Sequence, residues 1–354
     1  MDKYRSVVVG CGARSIGHAK AYSQISRGEL VACCDLRAEA RQDYSAQFGL
    51  RAYADAAEMF AKENPDMVHL VTWPDTRVEL MTLVDQYRIP ACIVEKPIAR
   101  EVVDWKQLVA LEGKTKTKFA VCHQVRWHAS LSACRQALRS GKLGRLCFLD
   151  FSARYNISGQ GTHILDYAMS LNEDASVVRV FGGASGTQEM QTLHPGPDTT
   201  VAQLLFANGV FGLWSTGYAS PSTITDDTPW KHVRVATYAE RGRTLYEEFG
   251  KWEIVSHEGF EGGRIESMEQ WGDGNDSAQA AMINAMYDWL EDDNKPAGTN
   301  LKLALHQWEV VLGLYASIGW HKPVEIPFDV PDDLYRQLSS TLGEQKQESF
   351  LWKK

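Results

Sequence analysis

Val7–Ala19 reads VVVGCGARSIGHA. The run of valines after a charged start makes a short buried strand, and the two glycines behind it open a stretch with helical spacing. Gly10 permits a tight turn, Gly12 lets the backbone approach an anion, and the N–H groups of the helix that begins here face that anion. Ser15 stands where the third glycine of G-x-G-x-x-G would stand and is small enough to keep the helix against the strand. The motif alone is common. Asp35 strengthens it, because it ends the next strand at about the spacing at which a carboxylate holds the adenosine ribose of a dinucleotide. Its charge accepts from a ribose hydroxyl and repels a phosphate, which favours NAD over NADP, although Arg14 and neighbouring Arg37 leave NADP open.

Outward from that stretch, ELVACCD is followed by RAEARQDYSAQFG, DMVHLVT by DTRVELMTLVDQYR, and ACIVEKP by VVDWKQLVALEG. This βαβα alternation predicts a parallel, doubly wound α/β sheet, a Rossmann dinucleotide-binding domain over residues 1–124. After about Gln124 the rhythm changes. Helical SLSACRQALRSG leads to strand-like RLCFLDFSARY, to the helix of NISGQGTHILDYAM (Asn156–Met169), and then to SVVRVFGG, TTVAQLLFA, VFGLWSTGY, HVRVATYA and RTLYEEF. Residues 125–354 are therefore expected to form an α+β domain with a large, mainly antiparallel sheet that binds substrate and mediates oligomerisation. SPSTITDDTP and EGGRIESMEQWGDGND read as long loops.

Composition narrows the partners. A chain of 354 residues exceeds what one core usually serves, which agrees with two domains. No apolar stretch is long enough to span a bilayer, and MDKYRSVVVGCG lacks the features of a secretory signal, so a cytoplasmic protein without membrane contact is expected. The net charge of -8 opposes nucleic acid, and no basic segment overrides it. The partner is expected to be small. Cys33, Cys34, Cys92, Cys122 and Cys147 lie in or beside strand-like runs with neither C-x-x-C pairing nor zinc spacing, and read as buried thiols without metal.

The glycine turn together with Glu95-Lys96-Pro97 resembles the Gfo/Idh/MocA family of sugar and cyclitol oxidoreductases. HQVRWHASLSACRQALRSGKLGRL and LYASIGWHKPVEIP extend the resemblance along the chain. It implies a cis peptide before Pro97 that aims Lys96 at a ligand, and assembly as a homodimer or homotetramer. The candidate cofactor positions are Gly10, Gly12, Arg14, Ser15, Ile16, Asp35, Thr72, Trp73, Asp75, Glu95, Lys96 and Arg126. Candidate substrate positions are Lys96, Arg126, Tyr155, Gly159 and His163. The family's D-x-G-x-H-x-x-D pattern falls on Gly159, Gly161, His163 and Asp166, so the histidine is kept and the first carboxylate is lost.

Oxidising a secondary alcohol with NAD sends a hydride to the nicotinamide while the hydroxyl proton leaves oxygen, which requires a base within hydrogen-bond reach. A cationic nicotinamide beside Lys96 favours the neutral amine, and a helix N-terminus beside His163 disfavours imidazolium. Either residue can be the formal base. The plainer alternatives are a solvated lysine after a strand, a helix-start histidine bonded to its neighbours and, for Asp166, a favourable charge in the first helical turn. Trp73, Trp127, Tyr155, Trp214 and Trp230 suit the C–H faces of a sugar, although packing explains any one of them as simply. Arg126, His128 and Arg154 could hold polar or anionic substituents.

A sugar or cyclitol dehydrogenase is the leading reading. The alternative is an NAD-dependent glycosidase, in which transient oxidation permits elimination of the aglycone and the cofactor is regenerated in place; the lost carboxylate keeps it in view. A redox-silent NAD-binding regulator has no need of Lys96 and His163 together.

Overall fold

β1 (Tyr4–Val9) occupies the middle of a parallel sheet, and the rest of the first unit is built around it. The computed structural model describes residues 3–192 and 194–345. The sheet also contains β2 (Gly28–Cys34), β3 (Arg51–Tyr53), β4 (Met67–Leu70), β5 (Ala91–Val94) and β6 (Lys118–Val121), in the order β3-β2-β1-β4-β5-β6. Every residue of β4 and β5 is buried, as expected for a parallel sheet covered on both faces. The connecting helices are α1 (Ala13–Ala21), α2 (Ala38–Phe48), α3 (Ala56–Glu63), α4 (Arg77–Gln86) and α5 (Val102–Glu112). The strand order reverses between β1 and β4, which is where open α/β sheets bind ligands.

The first unit is discontinuous. It comprises the residues up to Ala129 together with Trp271–Leu305, whereas the expected boundary placed everything beyond residue 124 in the second domain. The reason lies in the core: Ala280, Met282, Ile283, Met286 and Tyr287 of a long helix pack with Ala21, Met67, Ala91, Ile93 and Ala120. That helix also corrects the loop expected over EGGRIESMEQWGDGND, of which residues 261–264 belong to a strand and residues from Met268 onward are helical. The loop-like composition comes partly from Gly274, whose α-carbon faces His128 so closely that a methyl group would lie 2.5 Å from the imidazole.

The second unit is Ser130–Gln270 with the residues from His306. Following α6 (Ala129–Arg139), it contains β7 (Leu146–Ala153), α7 (Thr162–Leu171), β8 (Val177–Ser185), β9 (Thr199–Phe206), β10 (Phe211–Gly217), β11 (Val233–Ala239), β12 (Gly242–Glu247), β13 (Lys251–Ser256) and β14 (Gly259–Arg264). Then come α8 (Met268–Glu291), α9 (Leu301–Trp320), β15 (Val324–Glu325) and α10 (Leu334–Gln345). The sheet order is β14-β13-β12-β11-β7-β10-β9-β8-β15, and of its eight pairings only β7 with β10 is parallel. Alternation is clean on the central strands. Thr200, Ala202, Leu204 and Phe206 of β9 are buried, as are Gly212, Trp214 and Thr216 of β10, while Val201, Phe211 and Leu213 point to the open face. α7 is buried along its whole length.

Of the five cysteines expected to be buried, Cys33, Cys34, Cys92 and Cys122 are, whereas Cys147, near the start of β7, is exposed; Cys11 and Cys134 are buried as well. Among the described residues no helix is long and apolar enough to cross a membrane.

Candidate active site

The glycine turn fits a dinucleotide pyrophosphate on its own geometry. Gly10 has φ +98°, and a methyl group on it would lie 2.2 Å from the Val71 carbonyl oxygen, so no side chain is tolerated there. Gly12 precedes the first residue of α1, and nothing lies within 4 Å of where its Cβ would stand, which leaves the helix N-terminus open to an anion. Ser15 is fully buried and donates to the Gly12 carbonyl at 2.7 Å, bracing the turn from within. Ile16 instead turns its side chain onto the core of Val8, Cys33 and Tyr44.

Asp35 leaves the end of β2 with one oxygen accepting from the Cys11 N–H at 2.9 Å and the other from the Arg37 N–H at 2.8 Å. Burial pushes its pKa up, but these donors and the Arg37 guanidinium outweigh that and hold it below the usual range. A carboxylate anchored in this way keeps lone pairs for ribose hydroxyls. Thr72, Trp73 and Asp75 follow β4: the Thr72 hydroxyl accepts from Thr76 at 2.8 Å, and Trp73 and Asp75 are exposed.

Glu95 and Lys96 lie at the carboxyl end of β5, and the Lys96–Pro97 peptide is cis, as the resemblance implied. Lys96 is half-buried. Glu95 is buried, with its Oε1 accepting from Arg14 Nε at 2.8 Å and His18 Nε2 at 3.0 Å. Burial pushes the Glu95 carboxyl up, but Arg14 and His18 reverse this and hold it well below the usual range. Arg14 Nη2 also donates to Gln279 Oε1 at 3.2 Å and to Cys122 Sγ at 3.3 Å. His18, Glu95 and Cys122 place their donor atoms within 4.8 Å of one another, as a metal site would. The Arg14 guanidinium already supplies the cation to that trio. Arg126 is buried in a short helical turn over Gln124–Trp127, packed against Gly298.

In the second unit Tyr155 follows β7, and Asn156 caps a π-helical turn, Ile157–Gly161, that runs into α7. The Asn156 Oδ1 accepts from the Gly159 N–H at 2.8 Å, and its Nδ2 donates to the His194 carbonyl at 2.8 Å. Such insertions often mark functional sites, and this one immediately precedes His163. His163 is buried beside Tyr167, ring centroids 4.8 Å apart. Asp166 is not a solvated first-turn charge. It is fully buried and accepts from Gln307 Nε2 at 2.9 Å, because α7 is buried on every side and leaves Asp166 no solvent to face.

The other aromatics divide. Trp214 is a core residue, fully buried and stacked on Phe151, whereas Trp230 is exposed and Trp127 partly buried. His128 is buried beside Gly274, and Arg154 donates to Ser222 Oγ at 2.5 Å. His18, His69, Arg77 and Gln279 were not singled out from the sequence. His69, a polar residue inside the apolar run DMVHLVT, and His18, one helical turn beyond Arg14, carried a signal; Arg77 and Gln279 sit in ordinary helical stretches.

The sheet order, the open glycine turn and the carboxylate after β2 together define a Rossmann fold of the dinucleotide-binding kind. Residues 4–123 match the Gfo/Idh/MocA pattern, the oxidoreductase family with NAD-binding Rossmann fold, and form such a domain. A D-apiose dehydrogenase of Paraburkholderia graminis is 30% identical over 238 residues, covering 62% of this chain and 62% of that protein. A second D-apiose dehydrogenase, from Rhizobium rhizogenes, is 25% identical over 64% of this chain and 71% of its own length. An oxidoreductase from Agrobacterium radiobacter, solved with NAD+, L-tartaric acid and magnesium, shares the fold with a TM-score of 0.77 at 20% identity, over 92% of this chain and 99% of that one. A putative myo-inositol dehydrogenase from Sinorhizobium meliloti does so with 0.73 at 19% identity, over 92% and 100%.

Proposed function

We propose that this protein is an NAD-dependent oxidoreductase acting on a secondary hydroxyl of a sugar, sugar derivative or cyclitol. The observation that carries the reading is the pairing, within one Rossmann unit, of a glycine turn left open at Gly12 with a half-buried lysine at the carboxyl end of β5. The D-apiose dehydrogenase relatives support a sugar as substrate. NAD, when bound, supplies the hydride acceptor. Gly10, Gly12 and the start of α1 hold its pyrophosphate and Asp35 its ribose, while Lys96 or His163 takes the hydroxyl proton.

The test is a panel of sugars, cyclitols and glycosides, D-apiose included, followed both by NADH absorbance and by product analysis. NADH formation with one class of polyol supports the dehydrogenase. The second reading rests on Gly159, which removes the carboxylate expected beside the histidine. A glycoside cleaved without net NADH would favour redox-neutral elimination with the cofactor regenerated in place. No turnover of any compound, by either readout, would remove the enzymatic reading.

A further inference from the structure

Within the first unit a single hydrogen-bonded chain runs from Tyr22 to the residue before Lys96. The Tyr22 hydroxyl lies 2.7 Å from His69 Nε2, His69 Nδ1 lies 3.0 Å from His18 Nδ1, and His18 Nε2 lies 3.0 Å from Glu95 Oε1. The two imidazoles are almost completely buried. The carboxylate end of the chain sets the direction of every bond. An ionised carboxylate only accepts, so His18 carries its proton on Nε2; its Nδ1 then accepts, so His69 carries its proton on Nδ1; His69 Nε2 then accepts, and the Tyr22 O–H donates.

We propose that His18 is a positioning residue, which clamps Glu95 from α1 and so fixes the backbone carrying Lys96 relative to the glycine turn, with His69 and Tyr22 satisfying its far nitrogen in the one tautomer able to do this. Arg14 and His18 are four residues apart on α1 and therefore share a face. Both reach the same oxygen of Glu95, and α1 itself begins at Gly12. One carboxylate oxygen thus ties the pyrophosphate turn to the peptide that bears the lysine. Arg14 is partly exposed and has Gln279 and Cys122 as further partners, so the rigid half of the clamp is the buried imidazole. In the opposite tautomer His18 would set a lone pair against the carboxylate at 3.0 Å. In the tautomer that Glu95 requires, the N–H of His69 meets the remaining lone pair of His18 and the Tyr22 O–H donates to His69 Nε2, so no ring nitrogen of the chain is left unsatisfied.

The role assigned to His18 rests on the oxidoreductase reading above; the tautomer chain does not. Nitrogen-15 labelling of histidine in the full-length protein reads the chain without activity: near neutral pH, His18 should be protonated at Nε2 and His69 at Nδ1. The role is read by steady-state kinetics at saturating NAD and substrate, corrected for folded protein. His18→Ala should lower kcat by on the order of tenfold or more with little change in NAD affinity, since small displacements at a reacting centre cost rate rather than binding. His18→Gln, which keeps an N–H donor toward Glu95, should recover most of that loss. Tyr22→Phe should lower kcat by a few-fold, and the double variant should be no slower than His18→Ala alone, because Tyr22 acts through His18.

Unchanged kcat per folded His18→Ala site, or independent multiplication of the two losses, overturns the proposal, as does the reverse tautomer on either histidine. If wild-type protein turns over no alcohol while the tautomers are as assigned, the functional reading fails and takes the catalytic role of the clamp with it.

Discussion

The Tyr155 ring lies across the α-carbon of Gly159, so that a methyl group added there would meet ring carbons at 2.2 and 2.3 Å. The space that a side chain at position 159 would need is thus filled by an aromatic side chain of the same unit. Gly159→Asp, far from restoring a carboxylate, should displace Tyr155 and lower both substrate affinity and thermal stability, overpacking being worth about 1–3 kcal/mol. Combining it with Tyr155→Ala should return most of the stability. Melting curves and KM for the pair decide this, and an unperturbed single variant would show that Tyr155 yields without cost.

Asp35 predicts cofactor choice. Titration calorimetry should show tighter binding of NAD than NADP, and Asp35→Ser should narrow or reverse the difference, because Arg37 then faces a phosphate without the competing charge. Unaltered selectivity in the variant would take Asp35 out of ribose recognition.

Lys96→Ala and His163→Ala should each reduce turnover by on the order of a hundredfold or more while leaving NAD affinity nearly intact, as expected for groups that move a proton. Stopped-flow hydride transfer and equilibrium binding, measured on the same preparations, separate the two effects. A variant that retains full activity excludes its residue from the chemistry.

The open face of the nine-stranded sheet predicts self-association. Phe211 stands opposite both Leu205 and Phe148, Phe148 stands opposite Tyr238, and Phe211 and Tyr238 are 53% and 40% exposed. An apolar row of this kind needs cover. Sedimentation at micromolar concentration should show a dimer or tetramer, and Phe211→Glu should shift it toward monomer. A monomeric wild type would refute the assignment.

His18 and His69 predict the acid limb of the stability curve. Burial lowers the pKa of both; Arg14 also lowers that of His18, against the upward pull of Glu95, and His18 also lowers that of His69, again opposed by Glu95. The unfolded chain therefore binds protons that the folded chain refuses once pH falls below about 6.5, so stability falls as pH drops through that value and keeps falling toward the folded pKa values. The slope should approach about 1.4 kcal/mol per pH unit for each histidine. Denaturant titrations from pH 7.5 to 5 should show it, and His69→Gln should flatten it by one proton's worth.

Much of the first unit was legible because its parallel strands are continuous apolar runs and its turn residues have few alternative readings. β3 and α3 were not, since a strand of three mostly exposed residues carries no period. β14 was hidden for a related reason: GFEGGR is exposed throughout and holds three glycines. In the site, Gly10 and Asp35 were singled out by spacing, whereas Lys96 and the departure at Gly159 were singled out only by the family resemblance. Burial of Asp166 could not be read, because a helix buried on every side has no solvent face for the spacing of polar and apolar residues to reveal. Nor could the reason for Gly159, since the ring that fills its space belongs to a residue just outside the helix.

The return of residues 271–305 to the first unit constrains how the chain can be made. When Ala129 leaves the ribosome, the glycine turn and all six strands of the parallel sheet have been synthesised, yet one wall of their core, from Ala280 to Tyr287, has not. At about 5–20 residues per second, the intervening stretch takes roughly 7–30 s to appear. For that interval the nascent unit carries Met67, Ala91, Ile93 and Ala120 without their helical cover, a surface on which a chaperone or a neighbouring nascent chain would act before any nucleotide could.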